Sequence, residues 1–472
     1  MNYCDADLRS FLAQAANKTL HIRKPVDPAT EIAALCSETT QPTVFENITG
    51  YPDFRLADGL TRFRDTQALA LGIEGGPESV IPGYAAKLAA GPGTTVEVDN
   101  SPIKDVIWRG DDARLSRLPI PIASEGYDFP HLGVKEQDFL VPTISGGMGV
   151  TCDPEGNQNT FFTMAKVVGD QRIHFFMLPG HTARNVQAWH ERGERCPMAL
   201  VIGCHPAYEI GGAYTGPHPG FSELDLIAGI LGGPVPTISA ETLDMQVPAL
   251  AEIVIEGFID PNKAPYLHAS SHSDSYAPIL SDEPFFDITA ITMRKNPIYR
   301  HIQPNRFTEH HALAEFIVVP PLFGMLQAKG LPVIDIHMPL RSCGNCAIIQ
   351  MTANNPLEVR EVMLTSMANP MFPRLTIVVD EDVDIYNIED VLFALSIRAD
   401  GINSVASFNG VRALPEPLTT LINGPGDIRP IPNNRWAVDA TKPSLAEPKR
   451  REEFVRLRAR GEGRVSLADF MD

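Results

Sequence analysis

The sequence predicts a multidomain protein of mixed α+β and α/β class: a small α/β unit, a strand-rich middle interrupted by helices, and a second α/β unit with a terminal helix. Three observations predict it. Helical and strand periodicities alternate in the first segment; from about Leu118 strand-like runs broken by Gly and Pro replace them; and alternation resumes after the apolar stretch ALAEFIVVPPLFGML. With 472 residues and 44% hydrophobic content, the chain can bury a large core, and its length favours about two or three domains over one.

In chain order, DLRSFLAQAA is a helix opened by the acid cap Asp7, LHIRKPV a strand, PATEIAALC a helix and PTVFENI a strand. The middle offers the strands DFLVPTISGGMGVT, NTFFTMAKVVG, RIHFFML, PMALVIG and AEIVIEGFID, a series expected to form an antiparallel sheet or barrel. Two helices interrupt it, ARNVQAWHER and SELDLIAGIL, the second with Ser222 as its N-cap. Pro320 and Pro321 are expected to break the next apolar stretch, because proline lacks the N–H that a helix interior needs. Beyond it PVIDIHM, CAIIQM and RLTIVVD read as strands, with PLEVREVMLTSM and IEDVLFALSI as helices. From about Thr441 the tail is proline-bearing and then charged, and KRREEFVRLRARG is expected as a terminal helix packed on a neighbour.

Bulk properties exclude some functions. A formal net charge of −19, with a sequence pI near 5.1, argues against a nucleic-acid or anionic-membrane partner, which needs a clustered basic surface. No apolar run is expected to reach the roughly 18 residues that span a bilayer, and the start MNYCDADLRSFLAQ carries acids where a secretory signal carries bases, so a cytoplasmic protein is expected. Seven cysteines fit free thiols better than a disulfide framework. Cys343 and Cys346 have CxxC spacing, but no second CxxC completes a four-ligand site; a Gly-containing turn leading into CAIIQM is the expectation.

Three polar residues stand in apolar surroundings: Asn159 before an aromatic strand, His181 after a Pro-Gly turn, and Glu223 in the first turn of a helix. An amide oxygen, an imidazole and a carboxylate form a hard-leaning set suited to Mg2+ or Mn2+. Two further segments are dense in acid–base groups. YLHASSHSDSY contains His268, His272 and Asp274, and YRHIQPNRFTEHH contains His301 and Arg306. No phosphate-binding GxxxxGK[ST] loop is present, and no GxGxxG follows a strand. Residue chemistry alone therefore stops at a metal-dependent enzyme.

Several phrases in order resemble the UbiD family of prenylated-flavin-dependent decarboxylases: LHIRKPVDPATEIAAL, PTVFENITGYPDFRLADG, LSRLPIPIASEGYDFPHLGV, SELDLIAGILGGPVPTI, VPALAEIVIEGFIDP and RLTIVVDEDVDIYNIEDVLFALSIRAD. The resemblance implies an N-terminal α/β domain over residues 1–115, a split β-barrel flavin-binding domain over 116–305, a C-terminal α/β domain over 306–440, and a tail over 441–472 making an oligomer contact in a homodimer or homohexamer. It implies prenylated FMN as cofactor, with a divalent metal, Mn2+ or Mg2+, and K+ as a further candidate ion. A flavin prenyltransferase would supply the cofactor; the substrate would be a small carboxylic acid releasing CO2. Asn159, His181 and Glu223 fall where the family binds its metal, Phe162 and Met164 beside the flavin, and Arg360 near a phosphate contact.

The chain also departs from the family pattern. An arginine normally stands five residues after the metal-binding asparagine and joins two acids in a proton relay; here that position is Met164, and the acidic segment reads APYLHASSHSDSY, with Tyr266 or Leu267 and Ser270 or Ser271 in place of the acids. Another group must supply the proton, with His268, His272 and Asp274 nearest in sequence, while Arg306 and His301 are candidates for gripping the substrate carboxylate. The implied activity is reversible decarboxylation of an aromatic, heteroaromatic (furan, pyrrole or indole type) or α,β-unsaturated acid. Two alternatives are a non-catalytic flavin-binding or assembly subunit and a flavin oxidoreductase on the same scaffold.

Overall fold

The computed structural model describes residues 6–130, 133–177, 180–214, 222–268, 279–304, 308–368, 373–413, 431–443, 447–457, 459–461, 464–466 and 470. The first unit contains α1 (Leu8–Gln14), β1 (Leu20–Ile22), α2 (Ile32–Glu38), β2 (Thr43–Phe45), β3 (Arg55–Asp58), α3 (Arg64–Leu71) and α4 (Val80–Ala90). Asp7 caps α1 as expected, its carboxylate accepting from Ser10 N at 2.7 Å. Strands β4 (Thr95–Glu97) and β5 (Val106–Arg109) lead into the middle region.

That region holds β6 (Thr143–Cys152), β7 (Gln158–Gly169), β8 (Arg172–Phe175), α5 (His181–Glu191), β9 (Cys196–Ile202), α6 (Pro206–Gly212), α7 (Glu223–Leu231), β10 (Val235–Ser239), β11 (Gln246–Pro248), β12 (Ile253–His268), β13 (Ile279–Met293) and β14 (Ile298–Arg300). Strands β12, β9, β6, β7, β8 and β13 pair antiparallel in that order, and β12 pairs back onto β13, closing a six-stranded barrel. Alternation along each strand decides what fills it. Ile144, Ala165, Ile173, Phe175, Leu200, Ile255 and Phe286 belong to one buried cluster that draws on all six strands. Each large member contributes about 1.5–3 kcal/mol on burial. The β12–β13 hairpin bends at Gly257, where a register shift occurs and a Cβ would lie 1.9 Å from Asp287 O. Strand β14 leaves the barrel and adds to β3, making a four-stranded sheet ordered β1-β2-β3-β14.

The remaining elements are α8 (Glu309–Ala328), β15 (Val333–His337), β16 (Cys346–Met351), α9 (Pro356–Met367), β17 (Leu375–Asp380), α10 (Ile388–Arg398), β18 (Val405–Ala413), β19 (Ile431–Asp439) and α11 (Pro448–Glu452). The five strands form one sheet ordered β15-β16-β17-β19-β18. Cys343 takes a left-handed conformation at the turn before β16, and the expected turn leading into CAIIQM is present.

Three expectations are corrected. Pro320 and Pro321 do not break the chain's longest helix: α8 runs through both. Each interior proline costs about 3 kcal/mol, but Leu313, Phe316, Val318, Val319, Leu322 and Leu326 are all buried along α8 and together outweigh that cost. By length and composition α8 could cross a bilayer, contrary to the reading of the apolar runs; 61% of its most apolar window is buried inside the structure, as in a core helix. The terminal helix is confined, among the described residues, to the five residues of α11.

Candidate functional site

The site is organised along β7. At its start Asn159 is buried, and its Nδ2 donates to Thr182 Oγ1 at 2.9 Å. Thr182 follows His181, the first residue of α5. The next β7 residue, Thr160, donates its backbone N–H to Glu223 Oε2 at 2.8 Å. Glu223 is 1% exposed and opens α7, where Ser222 and Asp225 complete a capping box. Strand β7 thus draws the first turns of α5 and α7 to one corner, Asn159 bonding Thr182 next to His181 and Thr160 bonding Glu223. Helix starts present N–H groups and a positive dipole end, which favours an anion such as a phosphate at this corner.

Further along β7, alternate residues face away from the barrel cluster. Phe162 is half-buried against the core shared with α6 and α8. Met164 is 3% exposed, and its carbonyl accepts from Phe176 N at 3.0 Å and Tyr266 Oη at 3.3 Å. Lys166 is buried, donates to the Asp138 carbonyl at 2.7 Å, and lies 5.9 Å from the ring centroids of Phe139 and Tyr266. Burial pushes its ammonium down to about 8. On β8, His174 pairs in register with Lys166, stacks on Phe285 at 4.3 Å and meets Tyr266 edge-on at 5.0 Å. Its Nε2–H donates to the Glu283 carbonyl at 3.0 Å, and burial lowers its pKa. The Glu283 carboxyl is buried and raised, chiefly by loss of solvent. Sequence reading missed Lys166, His174 and Glu283. The signal for Lys166 was the alternation Phe162, Met164, Lys166; that for Glu283 was an acid opening the aromatic run EPFFDI, on the same strand face as Phe285.

A second polar cluster lies behind the site. Arg300, fully buried on β14, donates to Glu209 of α6 at 2.6 and 2.8 Å and to Glu309 of α8 at 2.7 and 3.0 Å. Thr61 N–H and Oγ1–H donate to Glu309 at 2.5 and 2.9 Å, and Arg62 pairs with Asp58 at 3.1 Å. Burial raises Asp58 to about 6; against the same upward push, Arg300 holds Glu309 down at about 2. Helix α6 connects this cluster to the site, since a Cβ at Gly212 would touch Met148 Sδ at 3.2 Å and Thr160 Oγ1 at 3.6 Å.

His301 belongs to this interior, which corrects its assignment as a substrate grip. Its ring is completely buried, its nitrogens meet Ser145 Oγ and Gln303 Oε1 at 3.0 Å each, and burial drives its pKa down to about 4. A neutral, saturated imidazole of this kind holds strands together. The Cys36, Asp58 and His301 group lies close enough to suggest a metal site, but the same bonds occupy its imidazole. Arg360 is exposed on α9, a helix that packs on α8, β17 and β19. His268 ends β12, but its side chain, together with His272, Asp274 and Arg306, lies outside the described residues.

Three matched domain families cover most of the chain. Residues 12–79 match the UbiD 3-octaprenyl-4-hydroxybenzoate carboxy-lyase N-terminal domain, residues 94–307 its Rift-related domain and residues 311–420 its C-terminal domain. The fold is similar to the UbiD-class enzyme HmfF from Pelotomaculum thermopropionicum in complex with FMN, at 26% identity over 98% of this chain and 100% of that one, with a TM-score of 0.85. An evolved dimeric form of the same enzyme in complex with prFMN gives 26% identity over 99% and 100%, with a TM-score of 0.82. Apo 3,4-dihydroxybenzoic acid decarboxylase (AroY) of Klebsiella pneumoniae shares the fold at 22% identity over 98% and 99%, with a TM-score of 0.83.

Proposed function

Because this chain belongs to the UbiD family of carboxy-lyases, we propose that it is a prenylated-FMN-dependent reversible decarboxylase of an aromatic, heteroaromatic or α,β-unsaturated carboxylic acid. The observation that supports this reading is that the starts of α5 and α7, which carry His181 and Glu223, both bond to the start of β7 at Asn159 and Thr160. Its donor set fits the cofactor. An amide, an imidazole and a buried carboxylate would suit Mn2+ or Mg2+, and the adjoining N–H groups would suit a flavin phosphate. K+ is a further candidate ion, and Arg360 a candidate phosphate contact.

When bound, the modified flavin would supply an electron sink at the carbon that loses CO2. The chain's own residues have other work. Asn159, His181 and Glu223 would hold the phosphate end, while Phe162 and Met164 would form an apolar wall that orients a flat substrate and excludes water. Arg306 is the proposed carboxylate grip. A flavin prenyltransferase is the proposed supplier, the cytoplasm the proposed location, and a homodimer or homohexamer the proposed assembly.

The test is co-expression with a flavin prenyltransferase, mass spectrometry of the bound flavin, and a CO2-release screen over aromatic and unsaturated acids. A prenylated flavin with turnover abolished by Glu223→Gln is expected; active protein without that species would overturn the proposal. Met164 at the arginine position favours one other reading, a non-catalytic flavin-binding subunit. Release of CO2 from any acid by purified holo-protein eliminates it.

A further inference from the structure

We propose that Glu283 is the acid that delivers the proton replacing CO2 on the substrate carbon, an inference that rests on the decarboxylase reading above. Barrel closure places Glu283 where chain order does not. Strand β13 pairs Ser281 with Tyr266, Glu283 with Ala264, and Phe285 with His174. Residues directly opposite in an antiparallel ladder share a face, so Glu283, Ser281, Tyr266, His174 and Lys166 line one face of the sheet. Tyr266 ties that face to Met164 through the 3.3 Å bond to its carbonyl. The carboxyl therefore comes from the partner strand, beside the segment where sequence reading found no acid.

Burial favours a neutral carboxyl group here, against two bonds that favour the charged form. Oε2 accepts the Met177 N–H at 3.1 Å, and Oε1 lies 2.7 Å from Ser281 Oγ. Ser281 Oγ donates to Oε1, and a proton on Oε1 is accommodated when that hydroxyl turns from donor to acceptor. Among the described residues Glu283 has no ion pair, and a buried carboxylate without one is costly. Lys263 on β12 favours its charged form, while the neighbouring Asp282 opposes it. Lys166 and Arg172 are the cations acting on His174 across the same face, and Tyr266 completes the titratable set. His174 spends its Nε2 proton on a carbonyl and Tyr266 its own on Met164, so neither is as well placed to give one up.

The step balances. The bond between the substrate carbon and its carboxylate breaks, CO2 leaves, and the electron pair stays with the carbon. The Glu283 Oε1–H bond breaks as the new C–H bond forms, leaving a carboxylate that recovers its proton from water. One proton is consumed per CO2 released.

Two measurements test this. In cofactor-free protein, infrared difference spectra across a pH titration should show a protonated carboxyl band that persists above the ordinary glutamate value of about 4.3 and is missing in Glu283→Gln. In holoenzyme, Glu283→Gln should lower turnover about 10²–10⁴-fold, the usual range for a general acid, with the bound-flavin spectrum unchanged. Turnover in the parent should fall as pH rises through the Glu283 value. Glutamine reproduces the neutral acid's bonds to Met177 and Ser281, so it should fold, and Glu283→Asp should keep partial activity. A carboxyl that titrates at its ordinary value, or a Glu283→Gln enzyme within about threefold of the parent, overturns the assignment. If the parent releases CO2 from no acid, the decarboxylase reading fails, and the infrared titration still decides whether Glu283 is protonated.

Discussion

Replacing Arg300 by Met should be among the most damaging single changes outside the site. The substitution keeps most of the side-chain volume but removes the cation between Glu209 and Glu309, two buried carboxylates to which Arg300 makes four bonds of 2.6–3.0 Å. Breaking a buried pair from one side costs about 3–5 kcal/mol. Serving two acids pushes the figure up; Thr61 and Arg62, which remain, push it down, so we set it at about 4 kcal/mol. With a urea slope of about 3 kcal/mol per M, the first cooperative transition should move down by about 1.3 M. The pH dependence gives a second readout. In the parent, the depressed value of Glu309 contributes stability that is present above its unfolded value and is lost as pH falls through about 2. In Arg300→Met the stranded carboxyls are raised instead, so the deficit should be largest near neutrality and shrink toward about pH 5 as they take up protons. Adding Glu209→Gln and Glu309→Gln should recover part of the loss. A deficit below about 1 kcal/mol, or one unchanged across that pH range, would refute the reasoning.

Two further outcomes are expected. Glu223→Gln should weaken divalent-metal binding in cofactor-free protein by at least about 10–100-fold, measured by calorimetry with Mn2+, because an amide cannot supply the carboxylate's charge. Lys166→Met should raise thermal stability near neutral pH, since the ammonium is buried with its pKa depressed to about 8. A depressed folded value means that stability is present above the unfolded value of about 10.4 and is lost as pH falls through about 8, so the mutant's advantage should vanish in alkali. An advantage that grows with pH would contradict the desolvation argument.

Local features of the sequence were legible where local physics decides them. Asp7 and Ser222 cap the helices they were expected to cap, and the alternation in NTFFTMAKVVG became β7. Features decided by long-range packing were not. Proline chemistry predicts a break within α8, but burial across the neighbouring units overrides it. His301 sits in a stretch that reads as a polar loop and is enclosed by Ser145, 156 residues away. Glu283 comes level with Ala264 through the β12–β13 register, and its strand reaches His174 only because β13 also pairs with β8. Asn159, His181 and Glu223 could be picked out one by one, but that α5 and α7 both start beside β7 is decided by the fold.

The two-sidedness of β7 has a consequence for how this scaffold changes. Phe161, Ala165 and Val167 hold the barrel together, while Phe162, Met164 and Lys166 face the other way. A substitution at 164 or 166 therefore changes the face turned away from the barrel cluster without entering the barrel's interior. The strand works as a keyboard whose alternate keys play no part in the frame, so one face can vary in sequence while the other keeps the barrel closed.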